Sequence, residues 1–227
     1  MSEVNLGRLT IIGTMHVDKS SVERVRKAVL ERKPEVVAVE LCENRFRALS
    51  RGTGGPPTIF HQDLLAWLLS LLEKTFGAKT GVFPGFEMLE AAREAEGIGA
   101  KVELIDMPIE WIVQKIQSIP LGEKVRLIYD SVIAILSLIF QRRAGERLSV
   151  NLKELMEEFR QKYPALHKYL VEERDKYMGE RLKSILNETT GTVLAVVGLG
   201  HVEGLTNELV KPPSEAYSAF SFTYSWA

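Results

Sequence analysis

Two copies of one short pattern hold half of the chain's histidines. Gly13-Thr14-Met15-His16 and Gly198-Leu199-Gly200-His201 each place an imidazole three residues after a glycine. Random placement of 17 Gly and 4 His over 227 residues would give about 0.3 such pairs. Each pattern follows an apolar, β-branched run, and two more runs of that kind end in acids, Glu40 and Asp106. A glycine at a strand exit lets the backbone turn sharply and approach a ligand, and the histidine beyond it can point back into the crevice. Two imidazoles and two carboxylates are the side-chain types that hold a divalent metal or run acid–base chemistry.

Taken singly, each residue also has a plain structural reading. Glu40 has Arg45 and Arg47 close in sequence as ion-pair partners. Asp106 stands where it would cap a helix beginning at Pro108. His61 and His167 fall in helical stretches and suit surface or packing roles, and Cys42 reads as a small buried side chain. Glu172-Glu173-Arg174-Asp175 reads as a solvated helix face with local ion pairs. Convergence of several such residues on one place is what would make a site.

The elements that must bring them together are legible. Arg8–Gly13, Glu35–Glu40, Lys101–Asp106 and Thr192–Gly198 read as short buried strands. Ser20–Lys33, with Val22, Val25, Val29 and Leu30 at helical spacing, joins the first two. This unit predicts neighbouring parallel strands linked by a right-handed crossover. His61–Phe76 and Phe86–Glu96 read as helices, and Arg51–Pro57 as a loop. From Pro108 to about Glu188 no strand pattern occurs, only helical stretches punctuated by Pro120 and Pro164. The fold class is therefore α/β: a small, mainly parallel sheet with flanking helices and a large helical insertion, about residues 108–190, between the third and fourth strands. Residues 1–211 form one domain, and 212–227, with an abrupt change of composition after Pro212-Pro213, a tail. In parallel strands the four strand ends lie on one edge of the sheet, where open α/β sheets bind ligands.

Composition limits the functions. The formal charge of −1 leaves no field to hold nucleic acid. A single cysteine excludes an internal disulfide and fits a reducing, cytoplasmic setting. The longest apolar run, Ser131–Phe140, is half the ~20 residues a membrane-spanning helix needs. Leu64–Leu72 and Val125–Phe140 are read as core; exposed, they would make a homodimer interface or a membrane-contacting surface.

GTMHVDKSSVERVRKAVLERKPEVVAVELCENRFRAL, GFEMLEAA, LID, ERDKYM and VVGLGHVEGL, in that order, resemble the TraB family. That family includes pheromone-shutdown proteins and many archaeal homologues, with TIKI metalloproteases and erythromycin-esterase-like hydrolases as distant relatives. The likeness runs from about Arg8 to Lys211. It departs from the family at Met107, where a basic residue often follows the strand-three Asp. Archaeal members commonly continue into membrane-spanning helices, so a longer protein would be membrane-anchored.

The resemblance implies a metal-dependent peptide hydrolase. His16, Glu40 and His201 would be the ligands of one divalent ion, leaving a position for water. Asp175 or Glu173 would orient a ligand histidine or shuttle the proton, and Arg174 would stabilise the oxyanion. The alternative from the esterase-like branch is metal-free, with a histidine as general base on water and Glu40 and Arg174 tuning it. A third reading is non-catalytic, a pocket that sequesters a hydrophobic peptide.

Overall fold

The computed structural model describes residues 2–14, 19–51, 85–140 and 152–211. His16, the Arg51–Pro57 loop beyond Arg51, the His61–Phe76 and Leu64–Leu72 segments and the 212–227 tail lie outside them.

Five strands form one sheet. They are β1 (Ser2–Leu6), β2 (Leu9–Thr14), β3 (Val36–Val39), β4 (Lys101–Leu104) and β5 (Val193–Gly198), in the order β1-β2-β5-β3-β4. β2, β5, β3 and β4 are mutually parallel, and β1 alone runs antiparallel, against β2. β1 was not anticipated. Its residues Ser-Glu-Val-Asn-Leu alternate polar and apolar as an edge strand does, without the β-branched run that marked the others.

The strand–helix–strand unit differs from expectation in one respect. β2 and β3 are parallel but not adjacent, because β5 lies between them. The physical reason is the apolar content of β5, Val-Leu-Ala-Val-Val-Gly, buried at every position. Only a central strand covered on both faces can hide such a run.

The helices make those two covers. α1 (Lys19–Arg32), α2 (Glu43–Ser50) and α3 (Phe86–Gly97) belong to one side. There Val25, Val29, Met88, Ala91 and Ala95 pack on Ile12, Val37, Val39, Leu194 and Val196. On the other side α8 (Glu173–Glu188) and α9 (Val202–Val210) set Met178, Leu182, Ile185 and Leu205 against Ile11, Ala38, Ala195 and Val197.

Between β4 and β5 every described element is helical, as expected. The insertion comprises α4 (Ile109–Gln117), α5 (Leu121–Phe140), α6 (Leu152–Lys162), α7 (Pro164–His167), a π-helical turn (Lys168–Glu172) and α8. Pro120 precedes α5, and Pro164 opens α7 where its missing N–H costs nothing. A separate core of Met107, Ile112, Ile116, Ile119, Tyr163 and Leu166 holds the insertion together.

Val125 corrects the reading of α5 as core. It is 57% exposed, and Leu121 and Tyr129, one turn to either side, are exposed with it. Leu127, by contrast, packs against the insertion core. Among the described residues no helix is long and apolar enough to cross a membrane.

Candidate functional site

The carboxyl ends of β5, β3 and β4 deliver Gly198, Glu40 and Asp106 to one edge of the sheet, and α8 crosses that edge. Glu40 and Asp106 are buried, with side chains 4% and 0% exposed. Two carboxylates so far from water require compensation, and Arg174 of α8 supplies it. Its Nε and Nη2 each donate to Asp106, at 2.9 Å to Oδ1 and 2.9 Å to Oδ2. The same Nη2 donates to Glu40 Oε1 at 2.5 Å. The other Glu40 oxygen accepts the Gly198 amide at 2.6 Å, tying the end of β3 to the end of β5.

His201 completes the group. It stands on a 3₁₀ turn (Leu199–His201) between β5 and α9. Its Nδ1 lies 2.6 Å from Asp175 Oδ1. Its Nε2 lies 3.0 Å from Arg174 Nη1 and 3.3 Å from Glu40 Oε1. Arg174 can only donate; with Nε2 accepting from it, the proton of a neutral ring sits on Nδ1 and is donated to Asp175. The result is a continuous chain, Asp175–His201–Arg174, with Glu40 and Asp106 on the guanidinium.

Burial alone would discourage charge on Arg174, but the adjacent Asp106 and Glu40 carboxylates overcome it and raise its pKa above the ordinary arginine value. Burial pushes the Asp175 carboxyl up, against the opposing pull of its hydrogen bond to His201.

Adjacent residues 174 and 175 stand about 100° apart on α8 and both serve the cluster. A π-helical turn, Lys168–Glu172, precedes them, and Arg174 Nη1 reaches back to the Leu170 carbonyl at 3.2 Å. The solvated-face reading of this segment is therefore overturned for Arg174 and Asp175, while Glu173 is half-buried against another helix. Glu173 pairs with Lys115 of α4 and is not brought into the cluster.

Asp106 is a second correction. It is not the cap of α4, whose N-cap is Pro108 with no side-chain bond; it is Arg174's bidentate partner and also accepts the Met107 amide at 2.8 Å. Arg45 approaches Asp106 at 3.7 Å, and Arg47 pairs with Glu43, so neither local arginine is what holds Glu40. Cys42 is buried. His167 packs against Phe159 in the insertion, with Glu172 3.2 Å from its Nδ1.

The glycines act differently from the expectation of sharp strand exits. Gly198 is extended, with φ −63° and ψ 143°, a conformation open to any residue. Gly13 is required by crowding: a Cβ there would meet Val202 Cγ2 at 2.5 Å. Gly204 matters most, because a Cβ would lie 2.0 Å from Asp175 Oδ2. Its absence lets α9 approach α8 closely enough for Asp175 to reach His201.

Gly204 was missed by sequence reading, and so was Glu87. The latter, within GFEMLEAA, is 1% exposed and accepts the Thr14 hydroxyl at 3.2 Å at the end of β2, two residues before His16. For Glu87 the available signal was an acid between the apolar residues Phe86, Met88 and Leu89; for Gly204 no local signal existed, because its partner Asp175 lies in another helix.

Among the described residues no three His, Cys, Asp or Glu side chains are grouped to hold a metal ion. Glu40 and His201 suit two positions of such a site, but Arg174 is bonded to both of the atoms that would coordinate. His16, the third candidate, lies outside the described residues.

Comparison with known proteins gives one family. The TraB/PrgY/gumN family profile matches residues 3–211. An uncharacterized protein of Methanocaldococcus jannaschii is 29% identical over 225 residues, covering 92% of this chain and 55% of its own length. The TraB domain-containing protein of Homo sapiens is 27% identical over 233 residues, covering 87% of this chain and 61% of its own. The chain thus spans less than two thirds of these relatives. Among solved structures, ChaN of Campylobacter jejuni, described for cofacial heme binding, matches at 14% identity with a TM-score of 0.35, over 88% of this chain and 77% of that one, too low to carry an argument. With a family match that spans nearly the whole described domain, the chain belongs to the TraB/PrgY/gumN family.

Proposed function

We propose that this chain is a hydrolase of peptide bonds in which His201, paired to Asp175, moves the proton and Arg174 stabilises the developing negative charge. The observation that carries the reading is the Asp175–His201–Arg174 chain, 2.6 Å and 3.0 Å long at its two links, at the carboxyl edge of a parallel sheet. A carboxylate on one imidazole nitrogen and a cation on the other is the polarity an acid–base histidine needs. The peptide class comes from the family resemblance carried by the sequence motifs.

The chemistry follows from the residues. A substrate carbonyl oxygen that draws Arg174 Nη1 toward itself uncovers the Nε2 lone pair. Water attacks the carbonyl carbon and gives its proton to Nε2, and Asp175 stabilises the imidazolium formed. Arg174 faces the oxygen as it becomes anionic. Nε2 then returns the proton to the leaving amine as the C–N bond breaks. Glu40, held by the Gly198 amide, and Asp106 fix the guanidinium and balance its charge.

A second reading, the metal-dependent one, is favoured by a single spacing. Glu40 Oε1 and His201 Nε2 are 3.3 Å apart. Two ligands each about 2.1 Å from one tetrahedral ion stand about 3.4 Å apart. Such an ion, held by Glu40, His201 and His16, would acidify water and polarise the carbonyl, and Arg174 would have to leave both coordinating atoms first.

The test is incubation of the protein with a mixed peptide library in H₂¹⁸O, with and without exhaustive chelation, alongside His201→Ala. The proposal expects new carboxyl termini carrying ¹⁸O that survive chelation and vanish in the variant. Loss of cleavage on chelation, restored by a divalent ion, would select the metal-dependent reading. No cleavage by the parent protein in any arm would overturn hydrolysis.

A further inference from the structure

β4 is the last strand of the sheet, and among the described residues its outer edge is unpaired. The Lys101 and Ile105 amides turn inward to the Glu35 and Val39 carbonyls, at 2.9 Å and 3.1 Å. With the strand's period of two, the N–H and C=O groups of Val102 and Leu104 turn outward. A cleft of about 600 Å³ lies along this edge. Val102, Glu103 and Leu104 all line it, and because alternate residues face opposite sides of the sheet, the cleft follows the edge itself. Phe46 of α2 and Glu96 of α3 form one wall, Tyr177 and Arg181 of α8 the other.

Its charge is one-sided. Beside Asp106, whose charge Arg174 already offsets, the glutamates Glu43, Glu96, Glu103 and Glu110 line it against a single guanidinium, Arg181. Two of these acids have cations at hand: Glu103 bridges Lys101 at 2.7 Å and Arg181 at 3.4 Å, and Glu43 bridges Arg47 at 2.7 Å. Glu110 is bonded to Asn44, a neutral partner, and Glu96 is exposed at the end of α3. Among the described residues neither of these two has an ion-pair partner.

An open strand edge beside a walled cleft is the geometry that accepts an extended peptide as one more strand, with backbone bonds giving affinity and wall contacts reading alternate side chains. We propose that the β4 edge binds an extended peptide segment whose cation-bearing side chains face Glu96 and Glu110, adding a sixth strand beside β4. The apolar residues at the alternate positions then face the opposite wall from Glu96, the one that carries Tyr177. Binding at this edge uses neither His201 nor Glu40, so it stands or falls separately from the hydrolytic chemistry.

The test is fluorescence anisotropy of the whole chain with a labelled alternating Lys–Val octapeptide, its Glu–Val counterpart, and two Lys–Val versions N-methylated at opposite sets of alternate amides. The expected results are at least tenfold weaker binding for Glu–Val, and at least tenfold weaker binding for one N-methylated set with little change for the other. Glu96→Lys should weaken the Lys–Val peptide several-fold, and His201→Ala should leave it unchanged. Val102→Pro, tolerated on an edge strand, removes one outward donor and should weaken binding without lowering the thermal midpoint beyond that of Glu96→Lys. Equal loss from both N-methylated sets, equal affinity for the Lys and Glu peptides, or no binding of the Lys–Val peptide would each overturn the proposal.

Discussion

Removing Arg174 should unfold more than it disarms. The guanidinium is 12% exposed and compensates two carboxylates that are 4% and 0% exposed, through three bonds to Asp106 and Glu40. In Arg174→Met the packing volume is roughly kept, but Glu40 and Asp106 both lose the guanidinium, and the Gly198 amide on the one and the Met107 amide and distant Arg45 on the other do not replace its charge. Breaking a buried pair by deleting one partner costs about 3–5 kcal/mol. With a urea m-value near about 3 kcal/mol/M, the denaturation midpoint at pH 7 should fall by about 1–1.7 M. The loss should shrink in acid, because the stranded carboxyls can then protonate. It should also be largely recovered in Arg174→Met/Glu40→Gln/Asp106→Asn, in which neither of the two stranded carboxylates remains. The assay is urea unfolding followed by circular dichroism at pH 4 and pH 7 for the parent chain and both variants. A single variant within about 0.5 kcal/mol of the parent at pH 7, or a triple variant no better than the single, would refute the claim that Arg174 is what makes two buried acids tolerable.

Two further expectations concern the partner helices. Gly204→Ala would ordinarily gain up to about 1 kcal/mol in a helix, but its Cβ would stand 2.0 Å from Asp175 Oδ2, so a loss of about 1–3 kcal/mol is expected. In an Asp175→Ala background the same change should become neutral or stabilising, whereas Gly122→Ala, with open space around it, should not be destabilising in either background; thermal melts of the set check the coupling. Asp175 gives a pH signature. Its native pKa is raised above the 3.8 of the unfolded chain, chiefly by burial, so the folded state holds the proton longer. The stability it adds is present below about pH 4 and is lost as pH rises through its native value. Asp175→Asn should therefore gain on the parent chain between pH 4 and neutrality in urea unfolding, and a constant difference across that range would contradict the assignment.

The parts of this molecule that could be read from sequence are those where one segment states its own environment. Val36–Val39 and Val193–Gly198 are uniformly apolar, and each is a buried strand. The acid at the end of β3 and the histidine after β5 are likewise local features, and they do meet, at 3.3 Å. What escaped reading depends on a partner distant in sequence. Asp106 looked like a cap because its real partner, Arg174, lies in a helix near the other end of the domain. Arg174 and Asp175 looked solvated because a run of charges reads as a surface face, and the partners that bury them, Asp106, Glu40, His201 and the bare Cα of Gly204, are all distant in sequence. β5's insertion between β2 and β3 also could not be inferred from the first strand–helix–strand unit, since the central place belongs to whichever strand is apolar on both faces.

The most direct test of the account is the protonation state of His201. A long-range ¹H–¹⁵N spectrum of the uniformly labelled chain near neutral pH, assigned by loss of the peak in His201→Gln, reads which ring nitrogen carries hydrogen. The account predicts a neutral ring with a pyrrole-like Nδ1, donating to Asp175, and a pyridine-like Nε2 facing Arg174. A protonated Nε2, whether in the other tautomer or in an imidazolium, would contradict it, because Arg174 would then have no acceptor there and His201 no lone pair with which to take a proton from water.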